Sequence, residues 1–179
     1  MDVIDAIKTR RSIRKFKSDP VKRELLEEAL ESARYSPSWA NTQVWEIIVV
    51  EDQKIKEALS ETLPPGNPSK NSVKEAPVVL AACGKKGASG FYKGAQSTVL
   101  GDWLMFDVAL FLSTLNLALH AKGLGMVHVG LFDIPEASEI LGIPDSVQLV
   151  ELLPVGFPDQ APSAPKRRES SEFTHWGRY

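Results

Sequence analysis

Apolar residues along the chain recur at two spacings, one helical and one extended. Val3, Ile4 and Ile7 stand at helical spacing and predict a short helix over residues 2 to 9. Asp19-Pro20 offers a capping side chain and a residue suited to a first helical turn. Val21, Leu25, Ala29 and Ala33 then share one face, so a second helix is predicted from there to about Tyr35. VWEIIVV, residues 44 to 50, is β-branched enough to be a strand, and Asp52 opens another helix. APVVLAACG (76 to 84) has the length and branching of a buried strand; MVHVGLF from Met126 and VQLVELLPVGF from Val147 are two more.

The most apolar stretch, WLMFDVALFLSTLNLALHA (103 to 121), is predicted to belong to a long helix over roughly 95 to 121 that stops at Gly123. Its uncharged run, Val108 to Ala121, is shorter than the ~18 residues of a membrane-spanning helix, so it reads as a buried helix. A helix apolar on nearly every face needs protein on all sides, and a second subunit is one source of that cover. Between these elements lie a polar loop, SPSWANTQ (36 to 43), and LPPGNPSKN (63 to 71), which is expected to be mobile. Residues 159 to 179 are rich in proline and charge and are expected to be extended, with Trp176 and Tyr179 seeking a groove. Helices and strands in mixed order with no repeat indicate one α/β or α+β domain.

Composition narrows the picture. At 179 residues and 43% hydrophobic the chain is a single globular domain, and 21 basic against 23 acidic residues give a net charge of -2. No global field attracts nucleic acid or an anionic membrane, so any anion site is local. The basic residues crowd the first 23 positions and return as Lys166, Arg167 and Arg168. A single cysteine, Cys83, excludes an internal disulfide and fits the cytoplasm. The N-terminus lacks a secretory pattern.

Common catalytic signatures are missing: there is no HExxH, CxxC, GxSxG or GxxxxGK[ST]. His120, His128 and His175 are far apart and read as packed or exposed side chains, and Cys83 as a small buried hydrophobe. GLGMVHVG (123 to 130) follows a helix and opens a strand, the reverse of a dinucleotide motif. In RRSIRKF (10 to 16) the guanidinium forks of Arg10, Arg11 and Arg14 flank the Ser12 hydroxyl, while Ile13 and Phe16 can anchor the segment. Such forks grip phosphate, although basic residues also suit a helix end. The amides and indole of loop 36 to 43 can read and wall a flavin or a base, or simply form a capped turn. The set suits a phosphorylated, planar cofactor that brings its own chemistry.

RRSIRKF, SPSWANTQVW (36 to 45), APVVL (76 to 80), GLG (123 to 125), GLFD (130 to 133) and PVGFPD (154 to 159) with KRR (166 to 168) make the chain resemble the nitroreductase family of FMN-dependent oxidoreductases over almost its whole length. The resemblance implies an α+β fold with a central, mostly antiparallel sheet flanked by helices. It implies an intertwined homodimer with two FMN molecules at the interface, each chain a single domain of residues 1 to 179 whose 159–179 tail packs on the partner. By resemblance, Arg10, Arg11, Ser12 and Arg14 hold the phosphate and ribityl chain, and Arg167 or Arg168 closes on the phosphate. Pro37, Ser38, Trp39 and Asn41 reach the flavin from the partner, with Gln43 supporting their loop. The backbone at Gly130 and Leu131 lies near the flavin N5, and Lys70 or Asn71 faces the ring. Val44 departs from the proline usual before Trp45, and Leu131 from the second glycine of GGFD, where backbone freedom matters.

The implied chemistry is ping-pong: NADH or NADPH gives hydride to FMN, and an electron-poor small molecule such as a nitroaromatic or quinone then takes the electrons. No side chain need be catalytic, and no metal, nucleic acid or membrane is implied. Dehalogenation, flavin fragmentation, thiazoline oxidation and non-catalytic flavin binding are the alternatives within reach of the same site.

Overall fold

Local signals start most of the elements in this computed structural model, which describes residues 1–179. Asp2 accepts from the amides of Ile4 and Asp5 and opens α1 (Val3–Thr9). Helix α2 (Arg23–Ala33) starts later than Asp19-Pro20 predicts, because Val21 plugs into the core ahead of it and Lys22 is still extended. Its buried residues are Leu26, Ala29 and Ala33, so Leu26 takes the inward position expected of Leu25. Strand β1 (Trp45–Val50) leads to α3 (Gln53–Glu61), capped by Asp52 as predicted, then to α4 (Lys70–Glu75) and β2 (Val78–Lys85). A hairpin, β3 (Phe91–Tyr92) and β4 (Ala95–Gln96), precedes α5 (Leu104–Ala121). The chain ends its regular part with β5 (Gly125–Met126), α6 (Ile134–Leu141) and β6 (Val147–Gly156).

The main sheet has the order β1-β2-β6-β5 and every neighbouring pair is antiparallel. Its centre is apolar on both faces, which is why β2 reads as a continuous run and not as an alternation. Leu80, Ala82, Leu153 and Val155 face α2 and the buried Phe111, Leu112, Leu115 and Leu119 of α5. Val79, Ala81, Cys83, Leu149 and Leu152 face the other way, onto Leu59 of α3, Val73 of α4 and Ala137 of α6. The molecule is therefore an α+β fold, a central antiparallel sheet between two helical layers.

Three expectations need correction. The long helix begins at Leu104 and not near 95, because residues 91 to 96 form the hairpin and Gly90 and Gly101 turn the chain at positive φ. A Cβ at Gly90 would sit 2.6 Å from the Gly101 carbonyl oxygen, so this turn requires glycine. The strand read over MVHVGLF shrinks to β5 plus a single bridge from Val129 to Leu152. LPPGNPSKN is a tethered turn: Leu63 is buried, the Asn67 side chain holds the Ser69 amide and the Leu131 carbonyl, and α4 already begins at Lys70. Helix α5 alone is long and apolar enough to cross a membrane; eight of its residues, Asp107 and Asn116 included, are buried in the fold. Its Met105 and Phe106 remain exposed, so the single chain does not cover it on every side.

Candidate functional site

The RRSIRKF segment is laid out as an extra, irregular strand. Arg10 ends α1, and Ser12 then bridges Met126 of β5, with the Ile13 amide donating to the Met126 carbonyl at 3.0 Å. Further along, the Lys17 amide donates to Phe157 and the Asp159 amide to Lys15. Ile13 is buried and Phe16 half-buried, as anchors should be. The close fit is made possible by glycine: a Cβ at Gly125 would lie 2.4 Å from Ile13 Cγ1, and one at Gly156 would lie 3.1 Å from Phe16 Cδ1.

This anchoring turns the arginines toward the start of the C-terminal tail. Arg10, Arg11, Ser12, Arg14, Ser163 and Arg167 line one open cleft of about 320 Å³ that has no carboxylate on its walls. None of the four arginines enters an ion pair anywhere in the chain. Arg11 spends one terminal nitrogen on the Lys8 and Arg10 carbonyls, and its buried Nε has no partner at all. The same crowding marks His120, bonded to Thr9, whose imidazole is held below its usual pKa by burial and then by the charges of Arg10 and Arg11. Arg168 lies elsewhere: it hydrogen-bonds the Glu172 carbonyl and stands 5.7 Å over the Phe173 ring.

A larger cleft, about 570 Å³, adjoins the first through Arg10, Ser12 and Arg167. Its other polar walls are Ser113 and Asn116 of α5, Glu151 of β6, and His128. His128 hydrogen-bonds both Asn116 and Glu151, a group the sequence does not reveal because its members lie on separate elements. The only advance signals are a histidine in an apolar run and a glutamate within the apolar strand β6.

The SPSWANTQ loop is organised by another buried residue that the sequence did not single out. The Asp107 carboxylate accepts from the Trp39 amide at 3.0 Å, from the Thr42 hydroxyl, and from the Ser89 hydroxyl at 2.6 Å. Around it Ala40, Asn41 and Gln43 take positive φ, the Gln43 amide donates to Ser38, and Trp39 packs 5.4 Å from Trp103. Pro37, Asn41 and Gln43 are exposed and Ser38 and Trp39 half-buried. Asp107 stands about 13 Å along α5 from Asn116, at the helical rise of 1.5 Å per residue. No residue of 37 to 43 lines either arginine cleft of its own chain.

Gly130 and Leu131 connect the Val129 bridge to the Asp133 cap of α6. Leu131 is 66% exposed and its carbonyl accepts from Asn67; neither residue takes positive φ, so leucine sits there without strain. Lys70 pairs with Glu61 at 2.7 Å, and Asn71 is exposed on α4.

Residues 7–157 match the nitroreductase family model. An NADH dehydrogenase of Thermus thermophilus is 33% identical over 183 residues, covering 88% of this chain and 87% of that one. The chain belongs to the nitroreductase family. An FMN reductase [NAD(P)H] of Bacillus subtilis is 27% identical over 192 residues, covering 99% of this chain and 74% of the relative. The crystal structure of an oxidized iodotyrosine deiodinase bound to FMN and 3-iodo-L-tyrosine superposes with a TM-score of 0.83, at 26% identity, over 99% of this chain and all of that one.

Proposed function

We propose that the protein is a cytoplasmic, homodimeric FMN-dependent oxidoreductase that uses NADH or NADPH to reduce electron-poor small molecules such as nitroaromatics or quinones. The observation that carries this reading is the convergence of Arg10, Arg11, Arg14 and Arg167 with Ser12 on one cleft without a carboxylate. Four guanidinium groups free of ion pairs leave positive charge uncompensated around this cleft, and a phosphate monoester supplies the matching charge and the acceptors. The adjoining cleft is within the roughly 300–1,000 Å³ usual for cofactor sites. Its relatives' names supply the rest: one is an FMN reductase, and another was solved with FMN bound.

In this reading Arg10, Arg11, Ser12 and Arg14 hold the phosphate and ribityl chain, and Arg167 closes on the phosphate while Arg168 braces the tail through Glu172. Pro37, Ser38, Trp39 and Asn41, which line neither arginine cleft of their own chain, would reach the flavin bound by the partner, with Gln43 stiffening their loop. The backbone at Gly130 and Leu131 would be placed to meet the flavin ring. When bound, FMN supplies the redox chemistry, taking a hydride from the nicotinamide and passing electrons to the acceptor in ping-pong order. The chain's own part is to bind, orient and exclude water. Exposed Met105 and Phe106 on α5, and Phe173, Trp176 and Tyr179 on the tail, form the surface that a second copy covers, with residues 159–179 packed on it.

Anaerobic titration with NADH and NADPH tests the reading. The flavin band of the holoprotein should bleach with at least one of them and return on adding a nitroaromatic or quinone; a bound flavin that neither nicotinamide reduces would refute the reductase assignment. Reductive dehalogenation is a second reading, favoured by the full-length likeness to the deiodinase, and halide release from 3-iodotyrosine separates the two.

A further inference from the structure

A carboxylate in the middle of an apolar strand needs a reason. Glu151 lies on β6 opposite Ala82 of β2, beside the one register shift in that ladder, between Ala82 and Cys83. Bulges of this kind re-aim side chains and are common next to active sites. The Glu151 side chain is 16% exposed, and its Oε2 stands 3.0 Å from Nδ1 of His128, itself 41% exposed. On the far side of the ring, His128 Nε2 is 3.3 Å from Nδ2 of Asn116, which is 6% exposed on α5. An amide nitrogen only donates, so with Asn116 in this orientation Nε2 accepts and the imidazole proton sits on Nδ1, donated to Glu151. All three side chains line the larger cleft, where Glu151 is the only acid and Arg10 and Arg167 are the other charged groups.

We propose that the Asn116–His128–Glu151 chain is a positioning element that holds one fixed negative charge against the flavin and so weights the site toward its oxidised form. The inference rests on reading the cleft as an FMN site. Reduction by the nicotinamide, which is itself oxidised, brings the flavin two electrons and one proton and leaves its ring with one further negative charge. A carboxylate locked beside the cleft opposes that gain, and its small exposure leaves it less screened than a free surface charge. The two hydrogen bonds of His128 serve to lock it: one orders the carboxylate, and the other ties the imidazole to α5.

Glu151→Gln keeps an acceptor for His128 and removes the charge. In the holoprotein it should tighten reduced FMN about tenfold more than it tightens oxidised FMN, raising the midpoint potential by about 30 mV for a two-electron couple. Glu151→Asp, which keeps the charge, should stay at the wild-type potential. An unchanged potential in Glu151→Gln with flavin still bound overturns this proposal alone; a wild-type chain that takes up no FMN overturns the underlying reading. Should Glu151→Gln fail to fold, ¹⁵N spectra of the wild-type holoprotein decide. A single Nδ1-protonated His128 whose signals move when the flavin is reduced supports the proposal, and signals indifferent to reduction overturn it.

Discussion

Gly125 holds the basic segment in place by having no side chain. A Cβ there would press to 2.4 Å of Ile13 Cγ1, on a buried residue with little room to yield. Gly125→Ala is therefore expected to cost about 1–3 kcal/mol, read from the urea midpoint, and to loosen FMN retention with it. Removing Arg10, Arg14 or Arg167 should weaken FMN by about 10- to 100-fold, the worth of one charge-assisted hydrogen bond, whereas Arg168→Ala should leave affinity near wild type in fluorescence titrations. Cys83 behaves as a buried hydrophobe: burial pushes its thiol up from 9.0 to about 11. It should resist alkylation at pH 8 in the native protein and react on unfolding. Since the folded state keeps a proton that the unfolded chain loses near pH 9, this contribution to stability is complete below pH 9 and is lost as pH rises through about 11. At this scale the sequence showed RRSIRKF plainly, because its groups are contiguous. It could not separate Arg167 from Arg168, which differ only in where the tail turns, nor join His128 to Glu151, which meet only through sheet pairing.

Among the elements, α5 touches both the 39–42 loop and the larger arginine cleft. Near its start Asp107 ties together the 39–42 loop and Ser89, and nine residues later Asn116 faces the arginine side. Asp107→Ala strips the Trp39 amide and two hydroxyls of their buried acceptor, so a loss of about 3 kcal/mol in chemical denaturation is expected, with the Trp39 environment changed in fluorescence. The strands and capped helices were legible where one residue type decides the outcome, as at Asp52 for α3 and in the β-branched run of β1. They were misread where tertiary packing overrides local preference. Val21 packs into the core ahead of α2 and delays it, and the short β3–β4 hairpin occupies residues that the apolar pattern alone merges into α5. Helix α6, with Asp133 as its cap, Pro135 near its start and Gly142 in the left-handed region at its end, carried all the usual signals in only eight residues and was not singled out.

For the whole molecule, the single chain keeps the 37–43 loop out of its own arginine clefts, and its tail projects exposed aromatic rings. The proposed homodimer would account for both features, since one chain's loop could then meet the other's arginine cleft. Light scattering should give twice the 19.7 kDa chain mass, and deleting residues 160–179 should return the protein to the monomer and release its flavin. The most direct test of the central claim is titration of the flavin-free protein with FMN, followed by quenching of flavin fluorescence. Saturation at one FMN per chain, abolished in the Arg10→Ala/Arg14→Ala double variant, is the result this account predicts. Absence of saturable binding in the wild type, or full binding by the double variant, would contradict it.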